Sequence, residues 1–168
     1  HWRLAWGAWN VAALSVLWFF FAYARACPAL AARTAFLIGC LAVCLDLTAE
    51  AIEMWRLPAL AQAGLAASFL DAHRQAVLLT GFAANGLYTL ASVTLVWSSR
   101  DSFPSWTRAA GWGVGVAGAA LSWAAWAGST SGMFWANAFL VPLILAWQLG
   151  VALTSRAAAR RTPVRPTV

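Results

Sequence analysis

The reading of this chain turns on the stretch CLAVCLDLTAEAIEMWR (residues 40–56), an apolar run that carries three carboxylates, Asp46, Glu50 and Glu53. Together with the residues before it, from 34 onward, the run is about 20 residues long, enough to cross a hydrocarbon core of about 30 Å as a helix. Acids in such a span are costly and survive by pairing, by protonation or by lining a wet cavity. They are the strongest chemical signal in the chain.

Outward from that helix the sequence stays of one kind. Its 168 residues are 62% hydrophobic and 10% charged, with a mean hydropathy of +0.71, outside the range of soluble globular domains. Apolar runs cover residues 4–23, 34–54, 75–97, 109–127 and 133–154. The polar–apolar alternation of a membrane β-barrel is absent, and in lipid a helix satisfies its own backbone. The expected fold is all-α, a polytopic helical membrane bundle of five transmembrane helices over residues 1–155, with a basic cytoplasmic tail, 156–168, expected to lack structure. Residues 57–70 are too short to cross and read as an interfacial segment or helical extension, with Pro58 in the first turn of a helix. Pro142 is expected to kink the last span. The first apolar run leads directly into further spans, so no cleavable signal is expected.

The charge of +6 comes from eleven arginines, with no lysine, against five acids. These arginines lie in loops and tail, so they speak for membrane orientation rather than nucleic acid. Five spans put Arg25, Arg33, Arg100, Arg108, Arg156, Arg160, Arg161 and Arg165 on one side and Arg3, Arg56 and Arg74 on the other. The richer side is cytoplasmic by that rule, with the N-terminus outside and the tail against anionic lipid headgroups. Abundant alanine and arginine without lysine suggest a bacterial cytoplasmic membrane.

At 100° per residue, Asp46, Glu50 and Glu53 fall within about 60° of one another, sharing their side with Gly39, Ala42, Val43 and Ala49. Small residues admit a neighbouring helix, so this face should look into the bundle. Counted inward from Met54, Glu50 lies about 6 Å and Asp46 about 12 Å along the axis. Candidate partners for Asp46 are Asn10, Thr80, Asn85 and Asn137. His73 opens the third span on the same outer side, and Asp46, Glu50, Glu53 and His73 together suggest an outward-facing acidic pocket. A proton relay would suit an acid ladder, and Asp46, Glu50 and His73 are the donors a divalent cation would take. The plainer alternative pairs Glu53 with Arg56 and Asp71 with Arg74 along their helices.

Other features have structural readings. Cys40 and Cys44 lie one turn apart without further thiols or histidines for a metal. Gly111 and Gly115, with Gly118 on an adjacent row, form a small-residue face for close helix packing. Asn10, Asn85, Asn137 and Gln148 each bring an amide into a span, as interhelical hydrogen bonds or a polar cavity. Trp123, Trp126 and Trp135 could line an amphipathic site near the outer surface. No cofactor is indicated.

Asp46-Leu-Thr-Ala-Glu50 is similar to the His-x-x-x-Glu pair of the EXPERA group, which includes sterol isomerases, and Phe134-Trp135-Ala-Asn137 followed by Pro142 resembles its last helix. The resemblance implies a five-span bundle whose membrane cavity binds cationic amphiphiles through acidic residues. In some members it also implies the shift of a sterol double bond. Aspartate stands at 46 in place of the catalytic histidine, and the third-span glutamate has no counterpart, Asn85 being the nearest polar residue.

Three functions follow as expectations. In the first, Asp46 and Glu50, with Glu53, His73, Asn85 and Asn137, bind or conduct a cation, a proton or a cationic amphiphile. In the second, the chain is a non-catalytic subunit or assembly factor, or a homo-oligomer, packing on membrane partners through its glycine face and tryptophans. In the third, Glu50 is the acid or base of an intramembrane isomerase. No nucleophile–base constellation is visible, which ranks the enzyme last.

Overall fold

The computed structural model describes residues 1–27, 29–99 and 102–161. Among these the chain is helical, with no strand. Helix α1 spans Trp2–Ala26. Helix α2, Leu30–Ala51, runs through a wide π-type turn, Ile52–Arg56, into α3, Leu57–Gln62. Helix α4, Ala66–Val77, runs through a second π segment, Leu78–Ala84, into α5, Asn85–Ser98. Helices α6, Ser105–Trp126, and α7, Thr130–Arg161, complete the bundle.

Residues 57–70 are thus helical extensions of the two long helices, with Pro58 in the first turn of α3. They are the tip of a long hairpin, whose arms Leu30–Gln62 and Ala66–Ser98 are 33 residues each. Each arm is about 50 Å long, well beyond a hydrocarbon core of about 30 Å. Pro58 would break a regular helix by clashing with the carbonyl four residues back. The wide turn before it, closed by the Leu57 N–H on the Ile52 carbonyl, opens the helix there and lets it continue. The hairpin reverses at residues 63–65, where Gly64 takes a left-handed φ of 69°. Gly128, φ 68°, does the same between α6 and α7.

Four helices are long and apolar enough to cross a membrane: Trp2–Arg25, Leu30–Gln62, Ala66–Ser98 and Thr130–Arg156. Helix α6 matches them in length, but its glycines and tryptophans dilute its hydropathy. The tail expected to be unstructured is helical as far as Arg161. Arg165 lies outside the described residues, as do Arg100 and Asp101 of the loop before α6.

Neighbours pack in the order α1, α2, α5, α6, α7, with α6 and α7 the most intimate pair and the π segment Leu78–Ala84 wedged between α2 and α6. The glycine row is consumed in this packing. A Cβ on Gly111 would strike Val96, one on Gly115 would lie 2.7 Å from Val93, and one on Gly118 would strike Thr89. All three contacts are with α5. The face expected to be open to partner chains is thus internal, and close α5–α6 approach is what the glycines provide. Leu37, Leu41, Val116, Phe139 and Leu145 are among the large apolar side chains exposed around the outside, as befits a bundle facing lipid.

Candidate functional site

Helix α2 buries the face bearing Ala35, Gly39, Ala42, Val43, Asp46, Ala49 and Glu50. Gly39 lets the ring of Phe20 lie where a Cβ would come within 2.5 Å, which draws α1 onto α2. Asp46, 4% exposed, is held from across the bundle. Thr80 donates its hydroxyl to one carboxylate oxygen, and Tyr88 donates to the other at 3.3 Å. Thr80 was expected among the partners; Tyr88 was not. On a regular helix the two would lie about 80° apart. The π segment between them advances fewer degrees per residue, which swings Thr80 onto the side of Tyr88.

Asp46 lies on the wall of a cavity of about 610 Å³ enclosed by α1, α2, the Leu78–Ala84 segment, α5, α6 and α7. That volume falls within the range of about 300–1,000 Å³ typical of small-molecule sites. The walls are chiefly apolar, with aromatic rings from Trp6, Trp9, Phe19, Phe20, Tyr88 and Trp147. Among the described residues Asp46 is the one acidic side chain on the lining, where it is joined by the amides of Asn85, Asn137 and Gln148 and by the hydroxyls of Ser15, Thr80, Thr89 and Ser92. On the lining Phe19 stands edge-on to Trp147, centroids 5.0 Å apart, and beside them Tyr23 packs against Trp147 and Phe103. The Tyr23 hydroxyl is fixed there by Ser99. Trp9 of α1 and Val141 and Leu145 of α7 both line the cavity and lie exposed, so it opens sideways, between these two helices, onto the apolar outer surface.

The other expected site residues divide. Asn85 donates to the Gly118 carbonyl at 2.6 Å and to Ser122 at 2.9 Å, tying α5 to α6 at the cavity wall. Asn85→Leu is expected to cost about 1 kcal/mol, at about 0.6 kcal/mol per intramembrane hydrogen bond. A thermal midpoint in detergent equal to the wild type would contradict this. Asn10 donates to the Trp6 carbonyl of its own helix and does not reach Asp46. Trp123, Trp126 and Trp135 are exposed and off the lining; Trp6, Trp9 and Trp147 line the cavity instead. With twelve tryptophans, the few that turn inward carry no mark in the sequence.

Glu50, Glu53 and His73 do not line the cavity. Glu53 is buried in the π turn, where it meets His73 Nδ1 at 3.0 Å, and its backbone carbonyl takes the indole N–H of Trp2 at 2.8 Å. Arg56 turns away to Gln75 at 3.4 Å, so the alternative pairing of Glu53 with Arg56 is not formed. Among the described residues no three His, Cys, Asp or Glu side chains come together in a way that could hold a metal ion. Asp46 is about 10 Å, two helical turns, from the Glu53–His73 contact, which is why the set Asp46, Glu50 and His73 does not close. Comparison with family models, with curated proteins and with solved structures finds no match for this chain, so the EXPERA resemblance rests on the residues quoted for it.

Proposed function

We propose that this is an integral membrane protein of five spans, α6 included, that binds an amphiphile with a cationic head, admitted from the bilayer between α1 and α7. The N-terminus and the α3–α4 tip face outward and the end of α7 faces the cytoplasm, following the arginine distribution. The observation that carries the reading is Asp46 itself, the one acid on the wall of an apolar, aromatic-lined cavity that opens toward lipid. A carboxylate oriented by two hydroxyls in a low dielectric attracts a cation far more strongly than it would in water. Aromatic faces add cation–π attraction. The apolar length of the cavity, about 20 Å from Ala5 to Phe19 along α1, suits an alkyl chain or a fused-ring body.

Glu50 stands off the lining, so a role for it as an acid or base toward a molecule in the cavity has no geometric support. With the glycine row occupied internally, the subunit reading loses its main observation as well.

In lipid nanodiscs, dodecyltrimethylammonium is expected to change the emission of Trp6, Trp9 and Trp147 saturably, whereas dodecyl sulfate, with the same tail and the opposite charge, is not. Equal responses to the two would contradict the reading.

A further inference from the structure

The face that carries Asp46 continues to the protein surface as a file of titratable groups. His73, half exposed on α4, meets Glu53. Glu53 is buried, and its second oxygen has no partner. One helical turn deeper, Glu50 is fully buried with neither oxygen partnered. Asp46 lies one turn deeper again, on the cavity wall. A fully buried carboxyl without a hydrogen bond demands its own explanation, because leaving such a group unsatisfied costs free energy that an apolar side chain would not. Glu50 touches no ligand space and holds no neighbour, so neither binding nor packing accounts for it.

We infer that His73, Glu53 and Glu50 form a proton path from water at the α3–α4 end to Asp46, where a proton and the cationic head of an amphiphile exchange at one carboxylate. The inference rests on the amphiphile reading above. Hydronium gives its proton to His73, and the imidazole passes a proton from Nδ1 to Oε1 of Glu53. Glu53 releases one from its free oxygen to Glu50. Glu50, fixed by no hydrogen bond, turns and delivers it to Asp46. Asp46 becomes neutral and the bound cation leaves, so one positive charge enters the site as another departs.

Among the described residues His73–Glu53 is the one ion pair along the file, and at its outer end His1 and the chain's amino group stand next to Trp2, whose indole bonds the Glu53 carbonyl. Asp46 faces Thr80 and Tyr88, both donors, of which only Tyr88 is titratable. On α1, Arg3 lies over Trp55 and Arg25 over Phe21. On α4, Asp71 and Arg74 are exposed, and Arg56 is engaged by Gln75. The file is bracketed by the two π segments, a distortion that recurs at functional sites.

The test is a rapid drop from about pH 8 to about pH 5, across the carboxyl and imidazole range, on nanodisc-embedded protein loaded with dodecyltrimethylammonium. Tryptophan emission follows release of the ligand. Glu50→Gln is expected to bind like the wild type before the jump and to release at least about tenfold more slowly after it, as befits loss of a proton-transfer group. His73→Asn, at the exposed entrance, slows release without a change in the buried bundle. Wild-type release rates in both variants, at wild-type affinity, overturn the path. If the wild type itself fails to bind, the amphiphile reading falls, and the path is tested by hydrogen–deuterium exchange of the Asp46 carboxyl band in the infrared. Slower exchange in Glu50→Gln supports the path and unchanged exchange overturns it.

Discussion

Asp46→Asn is expected to weaken dodecyltrimethylammonium binding by about ten- to a hundredfold, or about 1.4–2.7 kcal/mol, while leaving the helix bundle intact. Asparagine has the shape of aspartate, accepts the Thr80 hydroxyl on its oxygen and can donate to the Tyr88 oxygen, so the contacts that position the side chain survive. What disappears is the charge. A carboxylate within the hydrocarbon layer costs about 2.5–3.5 kcal/mol on insertion scales, so the unliganded variant should be at least as stable as the wild type. Titration of tryptophan emission gives the affinity, and thermal unfolding in the same nanodiscs gives the stability. Wild-type affinity with reduced stability would mean that Asp46 serves helix packing and not binding.

Gly118→Leu is expected to do the reverse, damaging the fold first. A Cβ at Gly118 meets the Thr89 hydroxyl on α5 and lies 3.3 Å from the Thr89 Cβ, so the larger leucine forces α5 and α6 apart. Overpacking of this kind costs about 1–3 kcal/mol. Thr89 lines the cavity, and Asn85 bonds the Gly118 carbonyl, so binding should fall along with the thermal midpoint. Gly113→Ala is the control, because its Cβ would meet only the flexible end of Leu143, at 3.0 Å. A Gly118→Leu midpoint no lower than that of Gly113→Ala would contradict the close α5–α6 packing.

Much of the bundle was legible in the residues. Apolar run length located the helices, and angular arithmetic from Asp46 grouped it with Gly39, Ala42, Val43, Ala49 and Glu50, the face that is buried. The glycine row on α6 announced a close approach but could not name its partner, since small residues specify distance and not identity. Two things were hidden for physical reasons. Pro58 in the first turn of a helix left an extension to Gln62 open as one reading, but proline ordinarily ends or kinks a helix, so the wide turn that joins this extension to α2 was not legible. The same kind of turn at Leu78–Ala84 shifts the phase of the third long helix. Tyr88 was therefore missed as a partner of Asp46, although Thr80 was not. The contribution of α1 was hidden differently. With apolar residues all round it, no face of that helix is marked as the one lining a cavity.

The pairing of Glu53 with His73, in preference to Arg56, also depends on the hairpin. It brings a residue 20 positions away closer than one three positions away, because the π turn rotates Glu53 inward while Arg56 remains outside.

Whether the cavity holds a small amphiphile at Asp46 is decided by native mass spectrometry of the protein released gently from its own membranes. The expected result is a chain that carries a discrete small-molecule adduct, lost in Asp46→Asn. A chain without adduct, bound in fixed stoichiometry to other membrane proteins and unchanged by the substitution, would contradict it.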